Sequence, residues 1–113
     1  MMPDEPSAAF TLLAAPLAKR QIRYLGNVAD RTGSRESLYR TIKSIEFALV
    51  SSPREWGDPS RNLTGMKMIA YRRLFADLIV AFAVHESESL VWLHSIKPGP
   101  GHLLFSDPNY PVK

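Results

Sequence analysis

Apolar and polar positions divide the chain into stretches of two different periods. The run Leu78-Ile79-Val80-Ala81-Phe82-Ala83-Val84 carries no charge and is rich in β-branched and aromatic side chains. It is too short for a membrane span and predicts a buried strand. A polar break, His85-Glu86-Ser87-Glu88-Ser89, leads to a second apolar run, Leu90-Val91-Trp92-Leu93-His94-Ser95-Ile96. Two such runs joined by a short polar loop predict a β-hairpin. Residues 66–73 predict a third strand, turning back through residues 74–77, so that 78–84 becomes the centre of an antiparallel meander. Residues 9–13 predict a short first strand.

Between the first strand and the meander the period lengthens. Pro16 is placed to open a helix, and Ala18, Ile22, Leu25 and Ala29 recur at helical spacing, with Lys19, Arg20 and Arg23 on the wet side. Gly33 predicts the stop, and Ser34 an N-cap for a second helix with Glu36 in its first turn. That helix carries the stripe Leu38, Ile42, Ile45 and Leu49 and ends before Pro53. Side chains alternate along the central strand, so Leu78, Val80, Phe82 and Val84 share one face and Ile79, Ala81 and Ala83 the other. The bulky face should carry the helical hairpin; the small face should remain a shallow shelf.

The resulting order is β-α-α-β-β-β, an α+β fold with a helical hairpin on one face of a small, mainly antiparallel sheet. Residues 51–60 are dense in turn formers and predict a loop, with Trp56 tucked under the sheet edge. Residues 98–113 predict an irregular Pro/Gly-rich tail containing the apolar island His102-Leu103-Leu104-Phe105. There are no internal repeats. A chain of 113 residues makes one domain, with its ordered core expected over about 9–97.

Composition narrows the function classes. Apolar content of 45% and charged content of 22% are those of a globular protein, and the net charge of +3 permits an acidic or nucleic-acid partner without demanding one. Without cysteine there is no disulfide, no thiolate zinc site and no thiol nucleophile. The apolar stretch 8–18 is preceded by acids and followed by Lys19-Arg20, the reverse of an export signal, so a cytoplasmic location is expected. On that ground the acceptor-like Asn62-Leu63-Thr64 is discounted as a glycosylation site.

The second-helix stripe leading into Ser52-Pro53-Arg54-Glu55-Trp56-Gly57-Asp58-Pro59, then Tyr71-Arg72-Arg73, and then the two apolar runs through His85-Glu86 and Ile96 resemble the RelE/ParE superfamily. These are the toxins of type II toxin–antitoxin modules. The likeness covers about residues 9–97 and lies in element order and hydrophobic pattern. It implies a small toxin-like domain neutralised by an antitoxin segment wrapped over it. The RelE branch cleaves messenger RNA on the ribosome; the ParE branch poisons DNA gyrase. RNA-cleaving members carry an arginine in the central strand, where this chain has Ile79. The resemblance therefore favours a ParE-like or degenerate toxin acting by protein binding, with a RelE-like endoribonuclease as the alternative.

Metal-independent RNA cleavage needs a base, an acid and a cation on the phosphate. Near the sheet the candidates are Lys67, Arg72, Arg73 and His94, with His85, Glu86 and Lys97 close by. By alternation Lys67, Tyr71 and Arg73 share one strand face, a cation pair around an aromatic ring suited to a phosphate and a stacked base. Charges of this kind also protect edge strands, His94 also suits a plain strand position, and His85 and Glu86 suit the hairpin turn. For a binding protein, Ile79, Ala81, Ala83 and Lys97 form the partner surface, rimmed by Lys67 and Arg73. His85, His94 and His102 lack metal-ligand spacing, and the prolines around Gly99 and Gly101 deny a phosphate loop its amides, so neither metal nor cofactor is expected. The stripe Lys19, Arg20 and Arg23 is a solvated face which, if it bound anything, would take an acidic antitoxin or nucleic acid.

Overall fold

Strand and helix boundaries fall where the local chemistry changes. The computed structural model describes residues 9–113. They run β1 (Thr11–Ala14), α1 (Pro16–Thr32), α2 (Arg35–Ser51), α3 (Pro53–Trp56), β2 (Asp58–Leu63), β3 (Met68–Phe75), β4 (Leu78–His85) and β5 (Leu90–Pro98). Pro16 opens α1, and Gly33 closes it at φ 75°, a left-handed conformation that glycine adopts without a Cβ penalty. Ser34 stands at the start of α2, but its hydroxyl lies 3.0 Å from Thr32 Oγ1 and makes no side-chain cap. Among the described residues no helix is long and apolar enough to cross a membrane.

The sheet order is β1-β5-β4-β3-β2, with β1 parallel to β5 and every other pair antiparallel. The fold is thus α+β, with helices on one face of a mainly antiparallel sheet. It contains two elements more than the hydrophobic pattern predicts. Residues 51–60, read as loop, supply α3 and the start of β2. β2 reads Asp-Pro-Ser-Arg-Asn-Leu and is almost wholly exposed, so it shows no apolar alternation. As an edge strand it tolerates Pro59, beside which the register shifts. The expected strand 66–73 begins instead at Met68, because Thr64–Met66 form a 3-10 turn and Lys67 takes φ 55°. Ala76 and Asp77, at φ 51° and 62°, make the two-residue turn between β3 and β4.

The inner face is built as the alternation requires. Leu78, Val80, Phe82 and Val84 are buried beneath Leu25, Ile45 and Leu49, with Ile22, Leu38 and Ile42 packed at the margin. Tyr71 pairs with Phe82 across β3 and β4, and their rings stack with centroids 5.5 Å apart. Trp56, at the end of α3, also meets Phe82, its ring centroid 5.9 Å away and tilted. Gly57 lets that corner approach: a Cβ there would lie 2.6 Å from Phe82 Cζ.

The tail is irregular, as its composition predicts, yet it belongs to the packed body rather than trailing from it. Leu104 and Tyr110 join the core. The Tyr110 hydroxyl donates to the Ile96 carbonyl at 2.5 Å. Gln21, fully buried, accepts from the Ile96 N–H at 2.7 Å and donates to the Pro111 carbonyl at 2.9 Å. Tyr24 donates to Asp107 at 2.5 Å, and its ring meets Tyr110 edge-on. One buried amide thereby joins α1, β5 and the tail.

Candidate functional site

With the helices on one face, the other face of the sheet is open. Register places three rows across it: Ala70, Ala83 and Trp92; then Arg72, Ala81 and Ser95; then Leu74, Ile79 and Lys97. The first two rows floor a cleft of about 570 Å³, with Ala70, Ala81, Ala83 and Trp92 beneath. Leu63, Met66, Met68, Arg61, Arg72 and His94 wall it. Leu74 and Ile79 of the third row line a second hollow of about 480 Å³ with Asp58, Pro59, Arg73 and Pro100, and Ser60 and Arg72 line both. No residue of α1, α2 or α3 lines either hollow. The tail leaves the floor uncovered: it buries Leu104 on the helical side and exposes Leu103 and Phe105.

A β-bulge sets the site's one imidazole. Ala81 pairs with Ser95, but its neighbour Phe82 pairs with Leu93, so His94 is an extra residue in β5. Strict alternation would put His94 and Ile96 on the same face. The bulge separates them, leaving His94 exposed beside the cleft while Ile96 enters the core. Arg72 and the His94–Ser95 bulge lie on opposite sides of Ala81, two strand spacings apart, about 10 Å between backbones.

The sequence-derived candidates separate into groups. Arg72, His94, Ala81 and Ala83 come together in the cleft, although Ala83 itself is only 5% exposed. Ile79 and the exposed Lys97 pair in the adjoining row. Lys67, Tyr71 and Arg73 do not share the open face. Lys67 lies outside the strand, its carbonyl accepting from the Glu86 N–H at 2.9 Å. Tyr71 is stacked in the core. Arg73 points to the helical side, donating to the Trp56 carbonyl at 2.8 Å and lying 5.2 Å from the Trp56 ring centroid. Lys67 therefore does not rim the shelf as the alternation implied. Arg72 and Arg61 flank its alanine floor, and Arg73, although its guanidinium is drawn to Trp56, still borders the hollow beside Ile79. The odd positions of β3 belong to the core because Tyr71 is in register with Phe82.

His85 and His102 have local structural work. His85 Nδ1 accepts from the N–H groups of Ser87 and Glu88, and His102 Nδ1 from that of Leu104, each at 3.1–3.2 Å. Arg61, Met66 and Met68 were not singled out from the sequence. Arg61 sits on β2, whose exposed sequence gives no strand signal, and only its position opposite Ala70 reveals its place.

The cleft lining contains two guanidinium groups and no carboxylate. Among the described residues Arg61 and Arg72 take part in no ion pair, and no group of three His, Asp or Glu side chains is placed to hold a metal. No protein-family model, curated protein or solved structure matches this chain. The site's chemistry must therefore be read from its own groups. Trp92 and the alanine floor accept an apolar side chain or a flat ring, and the arginines accept an anion. One imidazole without a carboxylate is a sparse set for a reaction that moves two protons.

Proposed function

We propose that the chain is a toxin-like domain of the type II toxin–antitoxin class, ParE-like or degenerate, that acts by binding protein through its open sheet face. On this reading a cognate antitoxin segment bearing apolar and acidic side chains fills the cleft and silences it, and the module works in the cytoplasm. The observation that carries the reading is the uncovered alanine floor flanked by Arg61 and Arg72 without a carboxylate in the lining. Burial of apolar area over such a floor supplies affinity, and the two cations supply orientation and encounter rate. The Ile79 side chain, in the central strand, has no hydrogen-bond donor to offer a phosphate.

A second reading has one specific observation behind it. Arg72 and His94 straddle Ala81 in a single cleft, the placement a RelE-like ribosome-dependent ribonuclease would use for a phosphate and a proton. Induced expression in a bacterial host separates the two, scoring growth, messenger RNA by primer extension and chromosomal breakage. The binding reading expects arrest with intact messenger RNA, and broken DNA if gyrase is the target. Discrete cleavage within codons, reduced about 10²–10³-fold by Arg72→Ala or His94→Ala, would transfer the protein to the ribonuclease class.

A further inference from the structure

The outer face of α1 uses charges that neither reading above requires. Lys19, Arg20, Arg23 and Arg31 are all exposed, whereas Ala18, Gln21, Leu25 and Ala29 form the buried seam. At 100° per residue the four cations fall within about a third of the helix circumference, opposite that seam. The one acid on the helix, Asp30, is bound to Arg35 at 3.0 Å. Among the described residues Lys19, Arg20 and Arg23 have no ion-pair partner. The helix thus carries four cations against one acid, an excess equal to the +3 of the whole chain.

We infer that this face of α1 docks the phosphate backbone of a nucleic acid, through charge and without reading bases. Two features favour that occupant over an acidic protein. Beyond Pro16, the exposed positions of α1 hold only Lys, Arg, Asn, Asp and Thr, so the face lacks the apolar centre that a protein interface buries; backbone contact to nucleic acid needs none. Three of the four cations are arginine, whose planar fork matches phosphate oxygens. The helix packs against β5 on the inner side of the sheet, away from the cleft. The inference therefore stands independently of the proposed toxin function.

The test is fluorescence polarisation of a labelled random-sequence DNA duplex of about 20 base pairs, titrated between about 50 and 200 mM salt. Wild-type protein should bind with a log–log salt slope of about −3 or steeper, about 0.9 for each of Lys19, Arg20 and Arg23 and up to as much again for Arg31. The triple variant Lys19→Gln/Arg20→Gln/Arg23→Gln should lose that slope and bind too weakly to measure. Removing three cations from α2 instead, by Arg35→Gln/Arg40→Gln/Lys43→Gln, should leave the slope unchanged despite the equal loss of charge. Thermal melts of both variants, and the single reversal Arg23→Glu, check that the fold survives. The inference is overturned if wild type does not bind at the lowest salt or if the α1 triple binds as wild type does. It is equally overturned if the α2 triple loses as much affinity, or if poly-glutamate competes as well as unlabelled duplex.

Discussion

Phe82 is 1% exposed, stacked on Tyr71 and closed over by Trp56, so each atom removed from it leaves a void that three elements would have to fill. Phe82→Ala should cost about 3–5 kcal/mol, read as a shift in the denaturation midpoint with the slope unchanged. Gly57→Ala should also destabilise, because the added methyl meets the rigid Phe82 ring at 2.6 Å rather than the flexible end of a side chain. The opposite sign is expected at Ala76, which holds φ 51° in a turn where asparagine or glycine is at ease. Ala76→Asn should stabilise by about 0.5–1 kcal/mol, a rise of a few degrees in the thermal midpoint. A fall would mean that the turn is not the left-handed pair described.

At the scale of elements, what could be read from the chain follows from which side chains face the core. β4 and the two long helices each bury a stripe, so their periods are legible, and the placing of helices over Leu78, Val80, Phe82 and Val84 followed from the central strand alone. β2 half-buries only Leu63 and is held by its ladder with β3, so hydropathy carries no trace of it. The bulge at His94 depends on pairing with β4, which residue order in β5 does not encode. The tail was legible as irregular but not as packed, because its apolar island and Tyr110 show no period, and its anchor is a set of hydrogen bonds made by Tyr110, Tyr24 and Gln21.

That anchor makes the tail sensitive to pH. Burial raises the Tyr110 phenol above its ordinary value, and the hydrogen bond to Asp107 raises that of Tyr24. Both protons are held more tightly in the folded chain, so this stabilisation is complete below about pH 10 and is lost as pH rises beyond it. Asp107 behaves oppositely. The Tyr24 hydroxyl, and then the Asn109 N–H, lower its pKa, so its contribution is present above about pH 4 and is lost as pH falls through the depressed value. Tyr110→Phe leaves the Ile96 carbonyl without its partner and should cost about 1–3 kcal/mol at neutral pH. It should also flatten the alkaline limb of the stability curve, followed by tyrosinate absorbance and circular dichroism. An unchanged alkaline limb would show that Tyr110 does not control it.

For the whole molecule, the central division is between a sheet face sealed by helices and tail and a face left open. The small residues Ala81 and Ala83 marked the open face in the sequence, but its charged rim was not legible, because assigning Arg72 and Arg73 to faces requires the register of β3 on β4, and placing Arg61 requires the existence of β2. Ala81→Trp places an indole in the cleft without entering the core, so the thermal midpoint should stay within a few degrees of wild type. The decisive measurement is growth of a bacterial host after induction of wild type and of folded Ala81→Trp at matched expression. For an active ParE-like toxin, wild type should arrest growth and the filled cleft should abolish the arrest, whereas no arrest by wild type would mark the degenerate form. Arrest by wild type that persists undiminished in Ala81→Trp would contradict the assignment of the binding surface to the open face.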